Sequence, residues 1–371
     1  MSERALPAPV TSRGYWTLAL ARLKQNRAAV AAVAALGLIL AAALLGPYLT
    51  GHPYDRIYQE YVREPASLAV HPREEKLHPA FDRIAARMRF AVEAFEVKGD
   101  TLTATLASPR PDIRNLALIE RSDLFGPARI IARGEGDRSI EVAVPIKRQR
   151  FLAGTDSNGR DLLTRIFIAT RISLAIGLLA SAVALIIGVS YGAFAGYLGG
   201  RVDQAMMRIV DILYALPFIF FVILLVTFFG RNFLLMFIAV GAVEWLDMAR
   251  IVRGQTLSLK RQEFVQAAEA MGVGTLGILK RHIIPNLAGP VVVYVTLLVP
   301  KVILIESFLS FLGLGVQEPL TSLGVLIADG AKSIQGGAYL LIAPATVLIL
   351  LLLALNFLGD GLRDALDPKD R

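Results

Sequence analysis

The sequence predicts an all-α polytopic membrane protein with a small α+β domain inserted outside the bilayer. Three observations predict it. Of 371 residues, 55% are hydrophobic and only 19% charged, which is too apolar for an ordinary soluble domain. Apolar runs of about 18 or more residues, enough to cross roughly 30 Å of hydrocarbon, recur along the chain. About 100 residues of ordinary soluble character separate the first run from the others.

The runs are Ala28 to Leu49, Ile172 to Tyr197, Leu213 to Phe229, Phe233 to Met248, Leu287 to Phe311 and Tyr339 to Leu358. They predict six transmembrane helices, with residues 1–27 as an N-terminal tail and 28–49 as the first span. That first run exceeds the roughly 7–15 apolar residues of a secretory signal, and further spans follow it, so it reads as a retained anchor. Lys and Arg resist transfer through the bilayer when they lie in short loops. About 16 lie in the N-terminal tail, the second-to-third connection, the segment before the fifth span and the C-terminal tail, against about two in the short loops opposite. Both termini and that segment are therefore expected on the cytoplasmic side. The net charge of +8 reads as anchoring and topology against membrane lipid, with no nucleic acid as partner.

Residues 50–150 are domain-sized. PAFDRIAARMRF, Pro79 to Phe90, has the spacing of an amphipathic helix. FAVEAFEVKGDTLTATLA alternates apolar and polar residues about Lys98-Gly99-Asp100, and ARIIARGEGDRSIEVAV repeats the pattern about Gly134-Glu135-Gly136, as two hairpins would. Long loops cross the bilayer largely regardless of charge, so the arginines here do not oppose a position on the far side.

No catalytic pattern emerges. There is no cysteine, hence no disulfide, thiolate ligand or thiol nucleophile. His52, His71 and His78 lack a metal-ligand pattern, and no nucleophile elbow, Walker A loop or HExxH occurs. In GTDSNGRDLLTR, Gly154 to Arg165, the carboxylates Asp156 and Asp161 suit a turn followed by a helix start better than a calcium loop. No cofactor or metal is expected on this chain, and nothing in it supplies energy for transport.

Lys301 and Glu306 fall inside the fifth run, where each charge costs roughly 2.5–3.5 kcal/mol on insertion scales. They are candidates for a pore lining or subunit interface, with snorkelling or an internal pair as alternatives. Glu244 and Asp247 are expected at the end of the fourth span, near the membrane surface.

The segment 263–286, EFVQAAEAMGVGTLGILKRHIIPN, is polar and helix-like between apolar runs. Phe264, Ala267, Ala268 and Met271 share one helical stripe, flanked by Glu263, Gln266, Glu269 and Ala270. Gly272 is placed to end the helix. TLGILKRHII offers a second helix, and Pro285-Asn286 is expected to break the chain before the bilayer. Two short helices at a bend suit a cleft in a cytosolic partner; lying on lipid headgroups is the alternative.

Gln266-Ala267-Ala268, Gly272 and His282-Ile283-Ile284-Pro285 resemble the EAA loop of binding-protein-dependent ABC importer permeases. GTDSNGRDLLTRIF, RISLAIGLL, AGYLGGRVDQAMMRIVDILYALP, ARIVRGQTLSL, RHIIPN, SFLSFLGLGVQ and FNFLGDGLRDALDP resemble, more narrowly, the dipeptide/oligopeptide permeases of the DppC/OppC type. The resemblance implies a type I importer fold in the bacterial inner membrane, with 151–371 as a five-helix permease core and 50–150 as a periplasmic insertion larger than the family's usual one. It implies a non-enzymatic subunit forming half of a pore for peptides. Its partners are then a second homologous permease, two cytosolic ABC ATPases that use ATP and Mg, and a periplasmic solute-binding protein. Nickel complexes, oligosaccharides or opines are alternative cargo, and an ion-coupled secondary transporter is the alternative class. Glu263, Gln266, Ala267, Ala268, Glu269, Gly272, Arg281, His282 and Pro285 are then the ATPase-coupling residues. Two positions depart from the family: Gln266 stands where it has Glu, and LTSLGVLIADG lacks the tryptophan often seen there.

Overall fold

The computed structural model describes residues 15–109, 111–134, 138–230 and 233–366. The tails at 1–14 and 367–371, and the expected Glu135-Gly136 turn, lie outside the described residues. In chain order come α1 (Tyr15–Gln25), α2 (Arg27–Thr50), α3 (Glu74–Arg87), β1 (Ala91–Lys98), β2 (Thr101–Ala107), α4 (Ala117–Glu120), β3 (Arg129–Arg133) and β4 (Ser139–Pro145). There follow α5 (Leu162–Leu198), α6 (Gly200–Ala215), α7 (Phe218–Phe229), α8 (Phe233–Leu259), α9 (Glu263–Ala270), α10 (Thr275–Ile278), α11 (Ile284–Phe311), α12 (Leu323–Lys332) and α13 (Tyr339–Leu366). The chain divides into two compact units, one holding 1–46, 166–329 and 344–371, the other 47–165 and 330–343.

The first unit is helical. Among the described residues four helices are long and apolar enough to cross a membrane: Arg27–Thr50, Leu162–Leu198, Thr275–Phe311 and Tyr339–Leu366. A fifth arises if α6 and α7, bent by 80°, act as one broken span. The sequence reading of Leu213 to Phe229 as an uninterrupted span is thereby corrected. Pro217 has no N–H to continue the helix and forces Leu216 into extended backbone, ψ 127°. The α8 helix is 27 residues, about 40 Å long, but it carries Glu244, Asp247 and Arg250 along its middle.

Helix α2 starts at an Asn cap: Asn26 Oδ1 accepts from the N–H groups of Ala28 and Ala29 at 3.0 and 3.2 Å. Farther along, Pro47 lies inside the helix and cannot donate to the carbonyl of Ala43, four residues back. Arg171 of α5 supplies the missing donor. Its guanidinium donates from Nε to Ala43 O and from Nη2 to Leu44 O, satisfying backbone that lipid cannot hydrogen-bond.

The second unit holds a four-stranded antiparallel sheet in the order β1-β2-β4-β3. The expected hairpin at Lys98-Gly99-Asp100 is present, with Gly99 at φ +61°. Alternation in β2 and β4 turns Leu102, Leu106, Ile140, Val142 and Val144 inward, against Leu77, Phe81 and Ile84 of α3. The Gly154 to Arg165 stretch belongs to this unit. Thr155 N–H donates to Glu64 O at 2.9 Å, and Gly159 O accepts from Tyr58 N–H at 3.1 Å. Asp156 Oδ1 accepts from the N–H groups of Asn158 and Arg160, and Oδ2 from the guanidiniums of Arg160 and Arg165. Asp161 Oδ2 accepts from Thr164 N–H at 2.7 Å and so caps α5. Turn and capping chemistry thus occupy both carboxylates. Burial pushes the Asp156 carboxyl up, but Arg165, Arg160 and the backbone donor outweigh it and hold it below its ordinary value.

The three histidines without a metal-ligand pattern have different surroundings. His52 stacks on Phe151 at 5.0 Å and pairs with Tyr58 Oη at 3.0 Å, while His78 sits 3.0 Å from Asp82. His71 is buried beside Glu64, Nδ1 to Oε1 3.3 Å, and Lys76 holds the other oxygen of Glu64 at 2.7 Å. Burial pushes the His71 imidazole below its usual range, with Lys76 and Arg73 adding to the effect and Glu64 opposing it.

Candidate functional site

Helix α9 ends as its sequence dictates. Gly272 has φ +77°, Val273 N–H donates to Ala268 O at 3.1 Å and Gly272 N–H to Glu269 O at 2.9 Å. This is the Schellman pair of bonds, which needs the left-handed conformation glycine accepts. The chain then turns into α10.

Packing decides which face of α9 is free. Val265 and Ala268 are buried in a cluster with Tyr197 of α5, Met248 and Val252 of α8, Ile278 of α10 and Ile283 and Leu287 beyond it. The expected stripe of Phe264, Ala267, Ala268 and Met271 is therefore split. Ala268 faces inward, while Phe264, Ala267 and Met271 face outward, Met271 at 76% exposure. Phe264, Ala267 and Met271 thus form an apolar row on the exposed side of α9.

The polar residues take several directions. Glu263 and Gln266 are exposed, and Gln266 Nε2 makes only a long 3.4 Å contact to Arg261 O. The Glu269 carboxylate instead accepts from Tyr197 Oη at 2.9 Å. Arg281 is exposed, and the half-buried His282 ring lies 6.4 Å from that of Phe264.

Pro285 does not break the chain, contrary to the sequence reading. From Thr275 to Phe311 the path is continuous helix, with a wide π turn at Leu279–Ile283 just before the proline. That turn reorganises the hydrogen-bond ladder where Pro285 has no N–H to give. Asn286 Nδ2 also donates to His282 O at 2.6 Å.

The two charges of the fifth run are separate features. Lys301 Nζ donates to Glu244 Oε2 at 2.7 Å and to Asp247 Oδ2 at 3.2 Å, and its side chain is 48% exposed. Glu244 is buried under this contact. Glu306 is fully buried and accepts at Oε1 from Ser310 (2.7 Å) and Ser322 (2.6 Å), with Ser173 at 3.4 Å from Oε2. It therefore ties α5, α11 and the start of α12 together inside this chain.

Sequence reasoning missed Tyr197, Lys260 and Arg171. The signal for Arg171 was present, since Pro47 within a span demands a donor from elsewhere. Tyr197 meets α9, and Lys260 meets Tyr197, only through tertiary packing, and no spacing in the sequence announces it.

The long apolar helices and the polar helical segment between them are those of a polytopic helical membrane protein, and among the described residues no group of His, Asp and Glu could hold a metal ion. Residues 188–371 match the family model described as binding-protein-dependent transport system inner membrane component. Residues 14–67 match that of the N-terminal TM domain of oligopeptide transport permease C. The oligopeptide transport system permease protein OppC of Escherichia coli (strain K12) is 63% identical over 240 residues, 65% of this chain and 80% of that protein. The dipeptide transport system permease protein DppC of Bacillus subtilis (strain 168) is 47% identical over 219 residues, 59% and 68% of the two chains. A chain of the inward-facing MetNI methionine ABC transporter superposes with TM-score 0.46 at 17% identity, covering 53% of this chain and 94% of that one. The chain belongs to the family of binding-protein-dependent transport system inner membrane components, on the oligopeptide permease C branch. It is a permease and not an enzyme.

Proposed function

We propose that this chain is one of two homologous permease subunits in an ATP-driven importer of peptides, and that α9 is where a separate ATPase delivers work to it. The observation that carries the reading is the open row of Phe264, Ala267 and Met271 on a helix whose other side is anchored in the permease. Glu263, Gln266 and Ala267 meet the ATPase groove. Val265 and Ala268 seat the helix, Gly272 sets its exit, and Arg281, His282 and Pro285 shape the return to α11. Peptide cargo is supported by the relatives, which are named for oligopeptide and dipeptide transport.

In this reading the fold is that of a type I importer. Six passages cross the bacterial inner membrane: α2, α5, the broken pair α6–α7, α8, the run ending in α11, and α13. Both termini lie in the cytoplasm and residues 50–150 in the periplasm, where a solute-binding protein delivers the peptide. Two cytosolic ATPases, using ATP and Mg, close together and move the α9 helices of both permeases. Lys301, half exposed from α11, borders the pore or the second permease, because a charge facing lipid there would be costly. Glu306 serves the interior of the subunit.

Gly272→Val tests the coupling role in the reconstituted complex. A β-branched residue at φ +77° costs of order 1–3 kcal/mol locally, so peptide uptake should fall while the complex still assembles and hydrolyses ATP. Unchanged uptake would reject the role given to α9.

A further inference from the structure

Tyr197 stands one residue before the end of α5, and three separate contacts converge on it. Its hydroxyl donates to Glu269 Oε1 on the last turn of α9 at 2.9 Å. Its carbonyl accepts from Lys260 Nζ, just past α8, at 2.6 Å. The same ammonium lies 5.1 Å from the centre of the Tyr197 ring, within cation–π range. In sequence, α9 is joined to α8 and α10. Its charge-assisted hydrogen bond, the stronger kind, goes instead to a helix some 72 residues earlier.

Helix α5 is in turn pressed against α8. Gly188, Gly192 and Gly196 recur every fourth residue, on one face of α5. A Cβ built on them would lie 2.9 Å from Trp245 O, 2.3 Å from Ala249 O and 2.8 Å from Arg253 O. Those carbonyls also recur every fourth residue, so the two backbones touch along three turns, as small residues permit in membranes. Arg253, at the end of that row, holds Asp203 of α6 through two bonds of 2.5 and 2.6 Å.

We propose that Tyr197 is the positioning residue that delivers displacement of α9 to α5, so that α5 and α8 move as one lever when the ATPase acts. Without the tether, α9 connects only to α8 and α10 through the chain, and α5 follows by packing alone. The inference rests on α9 being the ATPase-docking helix, and the experiment tells failure of the tether from failure of docking.

The chain has no cysteine, so labels can be placed at single positions. The test uses the full complex with both permeases, both ATPases and the binding protein. Spin labels go at Ile186→Cys on α5 and Met271→Cys on α9, which are 67% and 76% exposed. The pair distance is measured in the nucleotide-free state and after trapping with ATP and vanadate. With Tyr197 intact, the expected result is one narrow α5–α9 distance common to both states. Tyr197→Phe removes only the hydroxyl, and the trapped state should then populate a second, longer distance about tenfold more than in the parent. Glu269→Ala should reproduce that broadening, Glu269→Gln should keep the single distance because its amide oxygen still accepts, and the double variant Tyr197→Phe/Glu269→Ala should add nothing further.

A narrow distance in Tyr197→Phe, or additive effects in the double variant, would overturn the tether. A thiol cross-linker from Met271→Cys to the ATPase reports docking independently. With that cross-link formed and the distances indifferent to Tyr197, only the tether falls; with no cross-link, docking falls and takes the tether with it.

Discussion

Replacing Gly192 by alanine places a methyl carbon 2.3 Å from Ala249 O and 3.0 Å from both Arg253 N and Val252 Cβ. A carbon rests no closer than about 3.3 Å to a carbonyl oxygen, so α5 and α8 must part by about 1 Å. Ala249 O and Arg253 N are backbone of a long helix and cannot rotate aside as a side chain would. Overpacking of this kind costs about 1–3 kcal/mol, or roughly a 5- to 150-fold loss in the ratio of intact to opened contact. Gly254→Ala is the matched control on α8, because nothing lies within 4 Å of its added Cβ and alanine favours helix by up to about 1 kcal/mol. Trp245 lies on α8 at this contact, its ring 5.0 Å from that of Tyr191, so its fluorescence reports the opening during heating of purified protein. Gly192→Ala should lower the melting midpoint and Gly254→Ala should hold or raise it. A Gly192→Ala protein as stable as the parent would refute the backbone contact between α5 and α8.

Arg171→Leu leaves the Ala43 carbonyl without a donor and should destabilise the permease by about 1–3 kcal/mol. Adding Pro47→Ala restores the helix's own N–H and should recover much of that loss, a non-additivity read in a double-mutant cycle of thermal stability. Glu306→Ala strips the acceptor from Ser310 and Ser322 and should lower stability by about 1–3 kcal/mol. Glu306→Gln keeps an acceptor oxygen and should cost clearly less, so equal losses would reject the serine network. For His71 the sign follows from its depressed imidazole. The folded state holds it neutral while the unfolded chain protonates near its ordinary value of about 6.5, so its stabilising contribution is present above that pH and lost as pH falls below it. The protection of the 58–71 backbone amides, measured against their intrinsic exchange rate at each pH, should therefore fall as the pH drops from about 7.5 to about 5.5, and His71→Phe should flatten that dependence.

The sequence declared most of the helices because long apolar runs, a terminal glycine and an alternating hairpin are local signals. Gly272 and Gly99 act where they were expected to, since each adopts a backbone conformation that neighbouring residues cannot share. The break at Leu216-Pro217 was misread, because the apolar count is indifferent to a missing N–H. At Pro285 the error ran the other way: the π turn at Leu279–Ile283 absorbs a proline that local rules treat as a stop. The inward turn of Val265 and outward turn of Met271 depend on which neighbours α9 finds. Its periodicity shows two faces and cannot say which one the permease covers. Lys301 likewise found its carboxylates on α8, some 54 and 57 residues away, and not at Glu306 five residues on.

The central claim is that the outward row of α9 seats in the ATPase. Its most direct test is site-specific cross-linking from Phe264→Cys and Met271→Cys, each in the otherwise cysteine-free chain, within the complex that imports peptide. The account predicts adducts to the ATPase from both positions, and none from Ile131→Cys, exposed on β3 of the other unit. Adducts confined to lipid or to the permeases themselves, with uptake intact, would contradict it.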